Sequence, residues 1–132
     1  MGNELFRDEF GAVIHHAETD VLELHWLEGT SGMSDDDFRR WLTLFAERGE
    51  QINPKNMLID ATKFQFAVDG ASTGPWRDEN IIPRYNSAGV QKMAFLLPEG
   101  AGPGGDPAPE GPANFPTAYF DTAADVDAWF AS

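Results

Sequence analysis

The chain has 132 residues, no cysteine, and 22 acidic against 9 basic side chains, a formal net charge of −13. That length carries one domain around one core, and the missing thiols exclude disulfides, zinc-thiolate sites and thiol nucleophiles. The charge excludes nucleic acid and anionic lipid surfaces as partners, because the average field repels both. A hydrophobic fraction of 42% with 12% aromatic residues belongs to a globular chain rather than a disordered one. No apolar run approaches the roughly 18 residues of a membrane span. The opening Met-Gly-Asn-Glu-Leu-Phe-Arg lacks the basic and apolar regions of a signal peptide, so a cytoplasmic location is expected. Lys55, Lys63 and Lys92 are the only lysines. An acidic, lysine-poor surface suits concentrated salt, where charge repulsion is screened. A halophilic source and an ordinary acidic bacterial protein both explain it.

In chain order, residues 10–16 and 21–27 are strand-like runs joined by Ala17-Glu18-Thr19-Asp20, a polar turn of hairpin length. Pairing His16 with Val21 places Leu22, Leu24 and Trp26 on one face with Gly11, Val13 and His15. His16, Glu23 and His25 fall on the other. Ser34 is a helix N-cap, with Asp35, Asp36 and Asp37 in the positive first turn. Phe38, Trp41, Leu42 and Phe45 follow at i, i+3, i+4 and i+7, one apolar stripe. Gly49 predicts the helix stop, and Asn53-Pro54 forbids its continuation.

Asn56-Met57-Leu58-Ile59-Asp60 reads as a central strand buried on both faces and closed by an acid. A loop follows over residues 61–74, with Phe64, Phe66 and Val68 as its apolar members. Gly74 and Pro75 predict a second helix start, with Ile81, Tyr85 and Ala88 on one face, a kink at Pro83 and an end at Gly89. Residues 91–97 read as another buried strand. Six prolines and five glycines in residues 98–116 predict a solvated loop, its far end pinned by Phe115. Tyr119-Phe120 is a short strand candidate. Thr122 caps a last helix with Asp125 three residues on, and Val126, Trp129 and Phe130 give that helix an apolar face that should dock.

The expected fold is α/β: one domain over residues 1–132, with a single small mixed, mostly parallel sheet, an N-terminal β-hairpin and covering helices. Right-handed crossovers make the strands at 21–27, 57–60 and 91–97 a parallel set. Three stretches carry a family likeness: Asn56-Met-Leu-Ile-Asp60, Gly89-Val-Gln-Lys-Met-Ala-Phe95, and the ending Tyr119-Phe-Asp-Thr-Ala-Ala-Asp-Val-Asp-Ala-Trp-Phe130. With them the layout resembles the STAS-like, or SpoIIAA-like, family of small bacterial domains over about nine tenths of the chain. The resemblance implies binding or signalling rather than catalysis, with a protein partner or homodimer and no cofactor. Anti-sigma-factor-antagonist members are switched by phosphorylation of a serine in an Asp-Ser-Ser-Gly type stretch after the central strand. The matching stretch here is Asp60-Ala61-Thr62-Lys63. It keeps the acid and offers Thr62 as the phosphoacceptor, with a lysine where the glycine stands. Related sheets of the SEC14 kind bind lipids, which implies a small apolar or amphipathic ligand as the alternative.

The chemistry-bearing residues point the same way. In the hairpin register His16 and His25 stand four positions apart on one face, at roughly 3.3 Å per residue, too far to share one metal ion. Ser72 and Thr73 have turn and cap roles and no evident base. Gly102-Pro-Gly-Gly105 lacks the Lys-Ser/Thr and the helix of a phosphate loop. No catalytic or metal residues are assigned. In open α/β sheets ligands bind beyond the strand C-terminal ends. That edge gathers Asp60, Lys63, Phe64, Phe66, Trp76, Arg77, Arg84 and Tyr85 as candidate ligand-binding residues. Their aromatics either line a pocket or pack the loop onto the core. An apolar floor with Lys63, Arg77 or Arg84 at its rim would hold an amphipathic acid.

Overall fold

The hairpin of the N-terminal third adopts the register its alternation predicts. In the computed structural model, which describes residues 2–101 and 104–132, β2 (Gly11–His16) runs antiparallel to β3 (Val21–Trp26), with His16 opposite Val21 and Gly11 opposite Trp26. Opposed residues share a face. Val13, Leu22, Leu24 and Trp26 accordingly enter the main core together. β3 pairs in parallel with β4 (Asn56–Asp60), β4 with β5 (Lys92–Leu96), and β5 with β7 (Pro116–Phe120). Tyr119-Phe120 is thus the end of a five-residue strand.

Two edge strands depart from expectation. β1 (Gly2–Arg7) pairs antiparallel with β2, although Gly-Asn-Glu-Leu-Phe-Arg carries no apolar alternation. A bulge between Glu4 and Phe6 explains this: Glu4 opposes Ile14, but Phe6 opposes Val13. The extra residue turns Phe6 to the other face, where its ring meets Trp41 at 5.4 Å. At the far edge, β6 (Ala108–Pro109) pairs antiparallel with β7, so the proline/glycine stretch is not all loop. Proline is tolerated there because an edge strand leaves one row of N–H positions unpaired. Gly102 and Pro103 of that stretch lie outside the described residues, as does Met1. Phe115 is 1% exposed and pins the stretch to the core. The sheet order is β1-β2-β3-β4-β5-β7-β6, mixed overall and parallel in its middle.

Helices cover the two faces unequally. α1 (Asp35–Ile52) starts with a reciprocal capping box between Ser34 and Asp37 and buries Phe38, Trp41, Leu42 and Phe45. Gly49 does not stop it. A Cβ at Gly49 would sit 3.2 Å from Met57 Cε, so the glycine lets the helix approach β4 closely. The helix ends instead at Asn53, left-handed at φ 53°, before Pro54. α2 (Gly70–Asn80) begins earlier than Gly74-Pro75 predicts, because Asp69 caps it by accepting from the Ala71 N–H. Pro75 therefore lies inside the helix and removes one backbone hydrogen bond. The expected kink at Pro83 is instead a full break two residues earlier, at Ile81; Pro83 lies in the first turn of α3 (Ile82–Ala88), which ends at Gly89 as expected. These three helices pack on one face. α4 (Ala123–Ala131), capped by Thr122, docks alone on the other through Val126 and Phe130, against Val21, Leu58 and Ala94. No helix among the described residues is long and apolar enough to cross a membrane.

Candidate functional site

Unequal cover leaves a cavity on each face. The smaller, about 260 Å³, lies on the three-helix face beyond the strand C-terminal ends. Trp26, Phe38, Leu42, Ile59 and Phe95 make its apolar walls, and Thr73 and Arg77 of α2 are its polar side chains. Loop residues 61–69 are held against it by a relay through the buried Thr30. The Gln65 N–H donates to Thr30 Oγ1 at 2.8 Å, and Thr30 Oγ1 donates to the Leu27 carbonyl at 2.8 Å. Phe64 then packs on Trp26 at 5.1 Å and Phe66 on Phe38 at 5.7 Å. Arg77 lies with its guanidinium over the Phe95 ring, 6.0 Å from the centroid. Its Nη1 stands 3.8 Å from Glu110 Oε1, while its buried Nη2 has no hydrogen-bond partner.

Of the residues assigned to this edge from sequence, the structure brings Arg77 into the cavity and sets Phe64 and Phe66 behind its walls. The others go elsewhere. Trp76 packs partly buried under the Arg39 guanidinium at 5.2 Å. Lys63 is exposed. Arg84 pairs with Glu50 at 3.3 Å, bridging α3 to α1. Tyr85 is fully buried between Phe45 and Phe115. Its hydroxyl has no partner, and burial pushes its pKa up to about 12 while the Arg77 charge acts the other way. Asp60 faces the opposite side of the sheet.

That opposite side holds the larger cavity, a groove of about 730 Å³ between the sheet and α4. Along it runs an alternation of carboxylates and imidazoles. Glu23 Oε1 sits 3.2 Å from His16 Nε2 and 2.6 Å from His25 Nε2, and His25 Nδ1 is 3.2 Å from Asp60 Oδ2. Thr62 completes the row, its N–H and Oγ1 donating to Asp60 Oδ1 at 2.9 and 2.7 Å. Burial alone would push the His25 pKa down. The hydrogen bonds to Asp60 and Glu23 outweigh it and hold the pKa up at about 9. For Asp60, burial would raise the carboxyl, but the bonds from His25 and Thr62 prevail and lower it. His25 is thus an imidazolium at neutral pH, donating from both nitrogens.

The face shared by His16, Glu23 and His25 was legible in the hairpin register. Asp60 beside His25 was not, because that contact needs the parallel register of β3 on β4, which opposes His25 to Asp60. His15 lies on the other face, 3.4 Å from Asp20. Among the described residues no group of three or more His, Asp or Glu is disposed to hold a metal ion. No protein-family model, no curated protein and no solved structure matches the chain.

Proposed function

We propose that this chain is a non-enzymatic binding module whose ligand is a small amphipathic carboxylic acid. Its apolar body would fill the helix-face cavity and its carboxylate would meet Arg77. One observation carries the reading: Arg77 Nη2 is buried and unpartnered beside a cavity whose walls are apolar apart from Thr73. A buried charged donor without an acceptor costs free energy, and a carboxylate supplies the strongest acceptor for a guanidinium. At about 30 Å³ per water-sized group, 260 Å³ admits on the order of nine non-hydrogen atoms. A six- to eight-carbon or aryl-substituted acid is of that size. The −13 charge slows the approach of any anion, so association should quicken as salt screens it. The state of His25 supports a non-enzymatic reading, since both its ring nitrogens are taken by carboxylates and neither is left to act as a base.

Octanoate titrated by calorimetry tests this. Binding is expected in wild type, to be lost at least ten-fold in Arg77→Leu, and to be unchanged in Lys63→Ala and Arg84→Ala. Equal affinity of Arg77→Leu for octanoate, or tighter binding of octanol than octanoate, overturns it.

The STAS-like reading, a signalling module that binds a protein partner or pairs with itself, is supported by the parallel middle of the sheet and the closing strand and helix. Its phosphoswitch has a local objection. A phosphate on Thr62 Oγ1 would replace a donor with a dianion 2.7 Å from Asp60 Oδ1. The halophile reading rests on the net charge. It leads us to expect that the melting temperature climbs by several degrees between 20 mM and 2 M potassium chloride, as self-repulsion is screened. A flat melting curve across that range removes it.

A further inference from the structure

The groove on the α4 face is separate from the Arg77 cavity, with the sheet between them. Its floor is apolar, Val21 and Leu58 from the sheet and Val126 and Phe130 from α4. Two wall side chains carry acceptors that the described residues leave unused. Asn56, at the head of β4, is 2% exposed and lines the groove, yet its Oδ1 accepts no hydrogen bond. It shares its face with Val21, which it opposes in the ladder. Asp127, on an outward turn of α4, lines the same groove, and its carboxylate has no ion-pair partner among the described residues. Both groups are acceptors, and a buried amide oxygen costs free energy until a donor reaches it.

We infer that this groove binds a small organic cation, an ammonium or guanidinium on an apolar body, with Asn56 Oδ1 as the buried acceptor, Asp127 as the countercharge, and the Val21, Leu58, Val126 and Phe130 floor taking the body. A cationic donor gives Asn56 Oδ1 the partner it lacks and Asp127 a countercharge, whereas an anion would meet Asp127, Glu23 and Asp60 together. The positive charge of His25 is already shared between Glu23 and Asp60, and Lys55 stands exposed at the rim. The chain's charge of −13 raises the local concentration of cations and quickens their encounter. A volume of about 730 Å³ lies within the range of small-molecule sites.

The test uses the full chain with labelled methyl groups and three probes of one shape: hexylammonium, hexanol and hexanoate. Shifts of the Leu58 and Val126 methyl resonances report on this groove and not on the Arg77 cavity. Hexylammonium is expected to shift them saturably, hexanol and hexanoate at least ten-fold more weakly. Asp127→Lys, a surface change that leaves the fold intact, should weaken hexylammonium at least ten-fold. Asn56→Leu should do the same without lowering the melting temperature, because it removes an unpaired polar group. If Asn56→Leu loses its far-ultraviolet dichroism, Asp127→Lys alone decides. The inference is overturned if hexylammonium gives no saturable shift, if hexanol or hexanoate binds as well, or if Asp127→Lys leaves the affinity within two-fold.

Discussion

Trp41→Ala is expected to cost on the order of 4 kcal/mol, within the range for emptying a large aromatic site in a core. Trp41 is 0% exposed and joins three elements. Its ring meets Phe6 of β1 at 5.4 Å and Trp26 of β3 at 5.9 Å. It also lies so close over β2 that a Cβ on Gly11 would come within 3.3 Å of it. Its Nε1–H donates to Asp8 Oδ2 at 3.3 Å, and Asp8 Oδ1 in turn accepts from the Phe10 N–H at 2.8 Å, holding the turn between β1 and β2. Truncation therefore opens a cavity and unpairs a carboxylate oxygen in one step. Against a total of about 5–15 kcal/mol for a domain of ordinary stability, the variant should melt roughly 10–20 °C lower. Trp41→Phe keeps most of the packing, leaves a smaller cavity and loses the hydrogen bond, so it should cost less, about 2 kcal/mol. Urea titrations followed by far-ultraviolet dichroism separate the two. A near-neutral Trp41→Ala would mean that α1 does not seal this end of the sheet.

Which parts of this fold were legible follows from the range of the interactions that fix them. The β2–β3 register, the Ser34 and Thr122 caps, the apolar stripe of α1 and the helix end at Gly89 are set within a few residues. Each could be read from periodicity and cap chemistry. Gly49 misled because the same residue serves two purposes. Glycine ends helices by adopting positive φ, but here it admits Met57, and only the packing of α1 on β4 tells the cases apart. β1 was invisible because its two partly buried residues, Leu5 and Phe6, flank a bulge, and Phe6 packs on Trp41, 35 positions away in the chain. The start of α2 at Asp69 is hidden in the sequence because Gly70-Ala-Ser-Thr-Gly has weak helix propensity; one cap and the packing of Thr73 decide for the helix.

The candidate site divides the same way. Placing ligands at the strand C-terminal edge is a topological inference, and Arg77 arrives there because α2 follows β4. Arg84 and Tyr85 are equivalent to it on sequence, but beyond the break at Ile81 they belong to α3, where Glu50 and the core take them. Of the groove under α4, only the face shared by His16, Glu23 and His25 could be assembled from sequence. Glu23, Asn56, Asp60 and Asp127 come from three elements, and only the parallel ladder and the docking of Val126 and Phe130 place them together.

Stability should fall as pH rises from about 6.5 to about 9, and His25 is the cause. The unfolded imidazole titrates near its ordinary 6.5, whereas the folded one is held at about 9. Between those values the folded chain holds a proton that the unfolded chain releases, so unfolding becomes steadily easier with rising pH. The contribution is complete below about 6.5 and gone above about 9. Asp60 works in the opposite sense: its lowered pKa adds stability above the ordinary carboxylate range and loses it as pH falls through the folded value. With the His25 side chain 29% exposed, solvent screening trims the nominal shift, and about 1–2 kcal/mol is the loss to expect at low salt. Urea midpoints measured across pH 6–9.5 should show that slope in wild type, and His25→Gln should flatten it. Glu23→Gln combined with Asp60→Asn removes the two negative charges while leaving the imidazole, so the His25 ring-proton midpoint in NMR should drop from near 9 towards 6.5. A wild-type midpoint already near 6.5, or an undiminished slope in His25→Gln, would show that the Glu23–His25–Asp60 row does not hold a charged imidazolium.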